Sequence, residues 1–189
     1  MNSFSAAQAR HLAEEELSGR LPRRWAHSLG VATRATEVGT LLGRNADLLA
    51  AAAALHDVGY APRLAVTGFH PLDGARFLRD ERGADERLTR LVANHSFALL
   101  EAEERGLRAE LAAEFPLPED PLLVDALVYC DMTTTPDGGR TTAPQRVAEI
   151  QSRYGPDHVV ARFIRSAAPK IFSSVERIEA VLRAQPRKG

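Results

Sequence analysis

His56 and Asp57 stand side by side where the apolar run Leu48–Leu55 ends. An unpaired buried carboxylate is costly, so such groups pair or bind a metal. Four further residues could complete that chemistry: His27, His70, His95 and Asp131 each lie on or beside an apolar stripe. Neutral imidazole nitrogens and carboxylate oxygens suit first-row metals such as Fe, Mn, Co, Ni or Zn. Six candidate ligands are too many for one small ion that must also hold water and substrate, and about right for two ions sharing a bridge. A pair of ions about 3.5 to 4 Å apart can polarise a phosphoryl oxygen, lower the pKa of a bridging water, and stabilise both entering and leaving oxygens.

The elements that must position these residues read as helices. Ser5 followed by Gln8 resembles a capping box for a helix over Ala6 to Leu17 that ends near Gly19. Pro22 suits the first turn of a second helix, whose stripe His27, Val31, Ala35, Val38 and Leu42 steps by four, four, three and four. Asp47 charges the start of a third helix through the alanine run, and Gly59 with Pro62 stops it just after His56 and Asp57. Because Pro71 disfavours the helical region for the residue before it, His70 is expected just outside a helix running from Pro71 to about Glu81. Leu88, Leu91, Val92 and His95 share one face of a helix predicted over Ala84 to Ser96.

Glu101 to Phe115 reads as a charge-rich, solvated cover helix, and Pro121 to Met132, apolar almost all round, as the most buried one. Ala143 to Tyr154, His158 to about Ala167 and Pro169 to about Ala184 complete the set, with the tail PRKG expected to fray. Alternating β-type segments are absent, and Gly and Pro fall at helix-length intervals. The chain is therefore expected to be all-α, one compact domain over residues 1–189 with about eight or nine helices and a buried metal site.

Composition narrows the function classes. A chain of 189 residues with 44% hydrophobic residues can bury one good-sized core. A formal net charge of -1, from 24 basic and 25 acidic residues, gives no global field for nucleic acid or an anionic membrane. An anionic substrate must be caught locally. A single cysteine, Cys130, rules out an internal disulfide and suits a reducing compartment. The first residues carry three consecutive glutamates where a leader peptide would be apolar, and the eight-residue run Leu48–Leu55 is far short of the ~20 a membrane helix needs. A cytoplasmic location is expected.

His27, then His56-Asp57, then Asp131 resembles the H…HD…D signature of the HD-domain superfamily of metal-dependent phosphohydrolases. The resemblance runs from about Arg23 to Thr135, through the strings RRWAHSLGVA, AALHDVGYAP and LVYCDMT. His70 in GFHPLDGARFL and His95 in LVANHS match the positions used by two-metal branches, which include symmetrical dinucleoside tetraphosphate hydrolases and mixed-valent diiron oxygenases. The resemblance implies that His27, His56, Asp57 and Asp131 hold one metal. Asp57 would bridge to a second metal completed by His70 and His95, with a water or hydroxide between the ions as nucleophile. It makes Asp57 and Arg24 the candidate catalytic residues. Arg24, three residues before His27 and so on the same helix face, could hold a substrate phosphate with its planar fork.

One departure bears on the substrate. Many of these phosphohydrolases carry a lysine three residues after the HD aspartate, where this chain has Tyr60. Tyr60 therefore enters as a candidate substrate contact, together with Arg63 or Arg24 as replacement for the missing charge. The segment after Asp131, MTTTPDGG, also differs from the acidic stretch of the dinucleotide hydrolases. The leading expectation is hydrolysis of a phosphate ester or anhydride, of a nucleotide or dinucleotide, with a small-molecule phosphate as partner. The alternatives are an oxygen-dependent diiron oxygenase and a nucleotide-binding module without turnover. His11 and His158 read as solvent-exposed, Cys130 as a small buried hydrophobe, Trp25 as a packing or pocket-edge residue, and Thr133, Thr134 and Thr135 as a helix end. Asp125, six residues before Asp131, points elsewhere.

Overall fold

In the computed structural model, which describes residues 3–184, the alanine run forms the axis about which the rest is built. The helix α3 (Ala46–Leu55) buries every residue from Leu49 to Leu55. Alanine adds no bulk beyond Cβ, so α1 (Ala6–Leu17), α2 (Pro22–Val38), α5 (Glu86–Asn94) and α8 (Pro121–Met132) can all pack against it. α1 opens with the capping box, Ser5 Oγ accepting from the Gln8 amide and Gln8 Oε1 from the Ser5 amide. α8 buries nine of its twelve residues, including Asp125 and Asp131, so its backbone and polar side chains must be satisfied from inside the protein.

α4 (His70–Asp80) lies beside the turn Val58–Tyr60 and packs on α5. Gly59 makes that approach possible: a Cβ there would collide with the His70 carbonyl and the Gly74 amide. In the first turn of α4, the buried Asp73 carboxylate accepts from the Thr67 hydroxyl and from the amides of Thr67 and Gly68 in the preceding loop. After α5, the chain turns through His95–Phe97, with Ser96 and Phe97 at φ 47° and 64°. The turn leads into the short helices α6 (Ala98–Glu104) and α7 (Arg108–Glu114). α9 (Ala143–Tyr154) and the long α10 (Val159–Ala184) close over α8 and α6.

Among the described residues there are ten α-helices and no strand, only an isolated bridge between Thr134 and Arg140. No helix among the described residues is long and apolar enough to cross a membrane. Several boundaries differ from those the sequence suggests. His70 is the first residue of α4, because Phe69 takes the non-helical cap position instead. The helix expected over Ala84 to Ser96 stops at Asn94, and His95 stands in the turn beyond it. Glu101 to Phe115 divides into α6 and α7 at Gly106, whose φ of 72° a helix does not allow. Conversely, Pro169 lies within α10, where a break was expected; tertiary packing on α8 and α9 outweighs the lost amide bond. The tail PRKG lies outside the described residues.

Candidate metal centre

The six residues come from five places in the chain and meet. His27 is on α2, His56 and Asp57 follow α3, His70 opens α4, His95 follows α5 and Asp131 is in the last turn of α8. All are buried except His70, whose side chain keeps 12% of its exposure. Asp57 divides them by its two oxygens. Oδ2 lies 3.5 Å from His56 Nε2 and 4.0 Å from His27 Nε2, while Oδ1 lies 3.3 Å from His70 Nε2. His70 Nε2 is in turn 3.2 Å from His95 Nε2. Asp131 Oδ1 approaches His27 Nε2 at 3.1 Å and His56 Nε2 at 3.9 Å. Two groups with metal-ligand spacing result, His27 with His56 and Asp57, and Asp57 with His70 and His95.

The outer ring nitrogens fix which atoms face inward. His56 Nδ1 is 2.7 Å from the Ala53 carbonyl, His95 Nδ1 2.7 Å from the Val92 carbonyl, and His27 Nδ1 2.9 Å from the Thr135 carbonyl. A carbonyl only accepts, so each of these nitrogens donates and each Nε2 is left as a lone pair. Those lone pairs face carboxylate oxygens and each other. Acceptor facing acceptor is an arrangement that a cation between them satisfies, and His56 Nε2, buried with no hydrogen-bond partner, is its clearest instance. The donor set, imidazole and carboxylate with backbone carbonyls behind the imidazoles, fits a first-row divalent metal.

Charge reinforces the same chemistry. Burial pushes the His56 imidazole down, and pushes His70 down to about 3 against the pull of Asp57, so both stay neutral and able to donate a lone pair. Burial opposes ionisation of Asp57 most strongly, yet its neighbours together, Arg24 at 2.8 Å first among them, hold the carboxyl well below the usual carboxylate range. Asp131 is likewise held down against burial, the Arg146 guanidinium being the permanent cation that acts on it. Ser96 Oγ donates to Asp131 Oδ2 at 2.5 Å.

Arg24 and Tyr60 both line the cleft that opens on the cluster. The Arg24 guanidinium lies over the Tyr60 ring at 3.9 Å, and that ring stacks on His70 at 3.9 Å. Where a lysine is usual, an aromatic ring thus backs one of the candidate ligands. Arg63 lies apart from Arg24 and Tyr60: its guanidinium pairs with Glu16 and Glu81, over the Phe77 ring, and it is not among the residues lining the cleft. Two strong carboxylate partners behind the turn hold it there.

Sequence reasoning passed over several cleft residues. Ser96, Glu101, Arg146, Arg153 and Tyr154 all line it. Glu101, read as part of a solvated cover, is buried and accepts two bonds from Arg105. Arg146 is 5% exposed; its side-chain bond goes to Glu149, and its Nε finds no partner. A buried position on α9's apolar face was the available signal for Arg146, since Val147 and Ile150 share that face. Asp125, Thr133 and Thr134 have structural partners. Asp125 accepts from Ser174 and Arg177, and the Thr133 and Thr134 hydroxyls donate to the carbonyls of Tyr129 and Cys130. His158 is exposed, and Cys130 is buried with its thiol pushed up by burial.

A family model, HD domain, matches residues 24–132, which is more than half of the chain. No curated protein and no solved structure matches it. The matched segment begins at Arg24 and ends one residue beyond Asp131, so it contains the whole imidazole and carboxylate cluster, and the chain belongs to the HD domain family.

Proposed function

We propose that the chain is a metal-dependent phosphohydrolase that cleaves a phosphate ester or anhydride of a nucleotide-like small molecule, with two divalent ions sharing Asp57. The observation that carries this reading is the division of Asp57: Oδ2 faces His27 and His56, and Oδ1 faces His70. His27, His56, Asp57 and Asp131 would hold one ion; Asp57, His70 and His95 the other. Divalent transition metals in such a place supply Lewis acidity and a water that ionises near neutral pH.

The chain's own groups do the rest. Asp57 and Asp131 stay ionised and His56 and His70 neutral, so these four groups are ready to bind cations without first losing protons. Arg24 and Arg146 line the same cleft and offer guanidinium forks to phosphoryl oxygens, where bidentate contact fixes orientation as well as charge. The Arg146 Nε, without a partner, is available for that contact. Met132, Phe163 and Ile164 keep part of the wall apolar, which limits water around the reacting group and strengthens the charge interactions.

The test is turnover. Full-length protein loaded with Mn, Fe or Co should release phosphate from a panel of nucleotides and phosphate esters, with and without oxygen. Equal activity in the absence of oxygen rules against an oxygenase. Stoichiometric ligand binding with no turnover on any substrate, at full metal content, would identify a binding module and defeat the hydrolase reading.

A further inference from the structure

The cavity at the cluster is small. Its volume of about 80 Å3 is well below the roughly 300–1,000 Å3 of a pocket that encloses a whole small-molecule ligand. The rest of any substrate must lie elsewhere. A second groove of about 300 Å3 adjoins the cleft and shares Arg24, His27 and Arg153 with it. Arg20 and Arg23 line the far part of this groove, and no acidic residue lines any of it.

Four guanidinium groups around one groove are out of keeping with a chain of net charge -1. Arg24 is held firmly by the buried Asp57, but two of the others are held loosely. Arg23 pairs with Asp137 at 2.8 Å, but both side chains are well exposed, and Arg153 pairs with Glu149 at 3.2 Å across a partly exposed contact. Exposed pairs of this kind contribute little, so an incoming anion can displace them. The first turn of α2 supports the same polarity. Its cap residue, Leu21, gives no side-chain oxygen, and Leu21 and Pro22 line the groove with Arg23 and Arg24. The N-terminal end of a 17-residue helix thus meets the groove with its positive dipole. Arg20, Arg23 and Arg153 fall outside the family match at residues 24–132, while Arg24 and His27 fall within it.

We propose that the groove of Arg20, Arg23, Arg24 and Arg153 is a subsite for the non-reacting phosphates of an oligophosphate, so that the chain selects small molecules with two or more consecutive phosphates over monophosphates. The proposal rests on the phosphate-substrate reading above for the end of the molecule that reacts. Its spatial logic is simple: the terminal phosphate enters the cleft beside Arg24 and Arg146, and the chain of phosphates continues past the shared residues into the groove.

Titration calorimetry of the full-length, metal-loaded protein with orthophosphate, inorganic tripolyphosphate and a nucleoside triphosphate tests this, with metal content verified on the recovered protein. Tripolyphosphate should bind at least about tenfold more tightly than orthophosphate, the size of one well-made charge-assisted contact. The exposed double variant Arg20→Gln/Arg23→Gln should lose most of that ratio, while Arg20→Lys/Arg23→Lys keeps much of it. Equal affinity for the two inorganic anions in the parent protein, or an undiminished ratio in the glutamine variant at unchanged unfolding midpoint, would overturn the subsite. A short single-stranded oligonucleotide that outcompetes tripolyphosphate would overturn it too, in favour of a nucleic-acid backbone. Similar affinity for tripolyphosphate and the nucleoside triphosphate places recognition in the phosphates themselves, and supports it. These are binding measurements, so a failure of turnover on every substrate defeats the hydrolase reading and leaves the subsite standing.

Discussion

Ser96 donates a 2.5 Å hydrogen bond to Asp131 Oδ2, and does so from a left-handed backbone with φ 47°. A non-glycine residue in that region, followed by Phe97 at φ 64°, is strained, and strain persists only where surrounding structure demands it. Here the sharp turn ends α5 one residue before His95, so that His95 faces the cluster and Ser96 reaches the next carboxylate. Ser96→Ala removes a bond to a buried carboxylate and should cost about 1.5–3 kcal/mol of stability. It should also weaken metal affinity by about 10–100-fold, the usual effect of losing a group that orients a ligand. Thermal unfolding and competitive metal titration read the two effects separately. An unchanged metal affinity would mean that Ser96 serves the turn alone.

Asp57 serves both candidate ion sites, and His95 only one. Asp57→Ala should therefore bring metal content towards zero, whereas His95→Ala should leave about one ion where the parent holds two. Elemental analysis after gel filtration gives both numbers. Full metal content in Asp57→Ala would remove it as the bridge.

The buried imidazoles set an acid limit on the metal-free protein. In the unfolded chain a histidine takes up a proton near 6.5, while folded His70 remains neutral down to about 3 and folded His56 is also shifted down. Below 6.5 the unfolded state thus binds more protons, and stability falls as pH falls through this window. Asp57 and Asp131, held below the usual carboxylate range, add to the loss at lower pH with the same sign. Urea unfolding of chelator-treated protein should show a loss of ~2 kcal/mol from His70 between pH 7 and pH 5, at 1.36 kcal/mol per unit, with His56 adding to it in the same direction. A stability that stays flat across that range would contradict buried neutral imidazoles.

Gly59 sets how near α4 comes to the HD pair. In Gly59→Ala the new methyl meets backbone of His70 and Gly74, which cannot turn aside as a side chain can, so α4 must move. The expected result is a loss of about 1–3 kcal/mol or more, the size typical of overpacking. The ion completed by His70 and His95 should be lost preferentially. A metal count equal to the parent's in a folded Gly59→Ala protein would show that His70 is not needed as a ligand.

Arg146 is the cleft cation that the sequence did not advertise. Arg146→Met keeps the packing volume and removes the charge, and should lower kcat/KM on a phosphate substrate by about 10–100-fold, equivalent to ~1.5–3 kcal/mol for a charged hydrogen bond. Metal content should be retained. Steady-state kinetics beside elemental analysis checks this, and normal kinetics in Arg146→Met would confine Arg146 to its pairing with Glu149.

The sequence by itself determined the helices, the motif and the identities of the residues that cluster. Helix periodicity and the H…HD…D spacing are local signals, carried by residues a few positions apart, so His27, His56, Asp57 and Asp131 could be singled out from the strings around them. What tertiary structure alone decided is which atom of each faces which. That Asp57 divides its oxygens between two sets of imidazoles depends on α2, α4 and α8 meeting at the foot of α3. That His27 presents Nε2 depends on the carbonyl of Thr135, 108 residues away. Long-range packing also overruled local rules, carrying α10 through Pro169 and forcing Ser96 into a conformation its side chain disfavours. It withdrew Arg63 to Glu16 and Glu81, and it brought Arg146 and Arg153 from beyond the motif to the cleft. Charge partners and groove walls are made by residues distant in sequence, and no spacing rule along one chain encodes them.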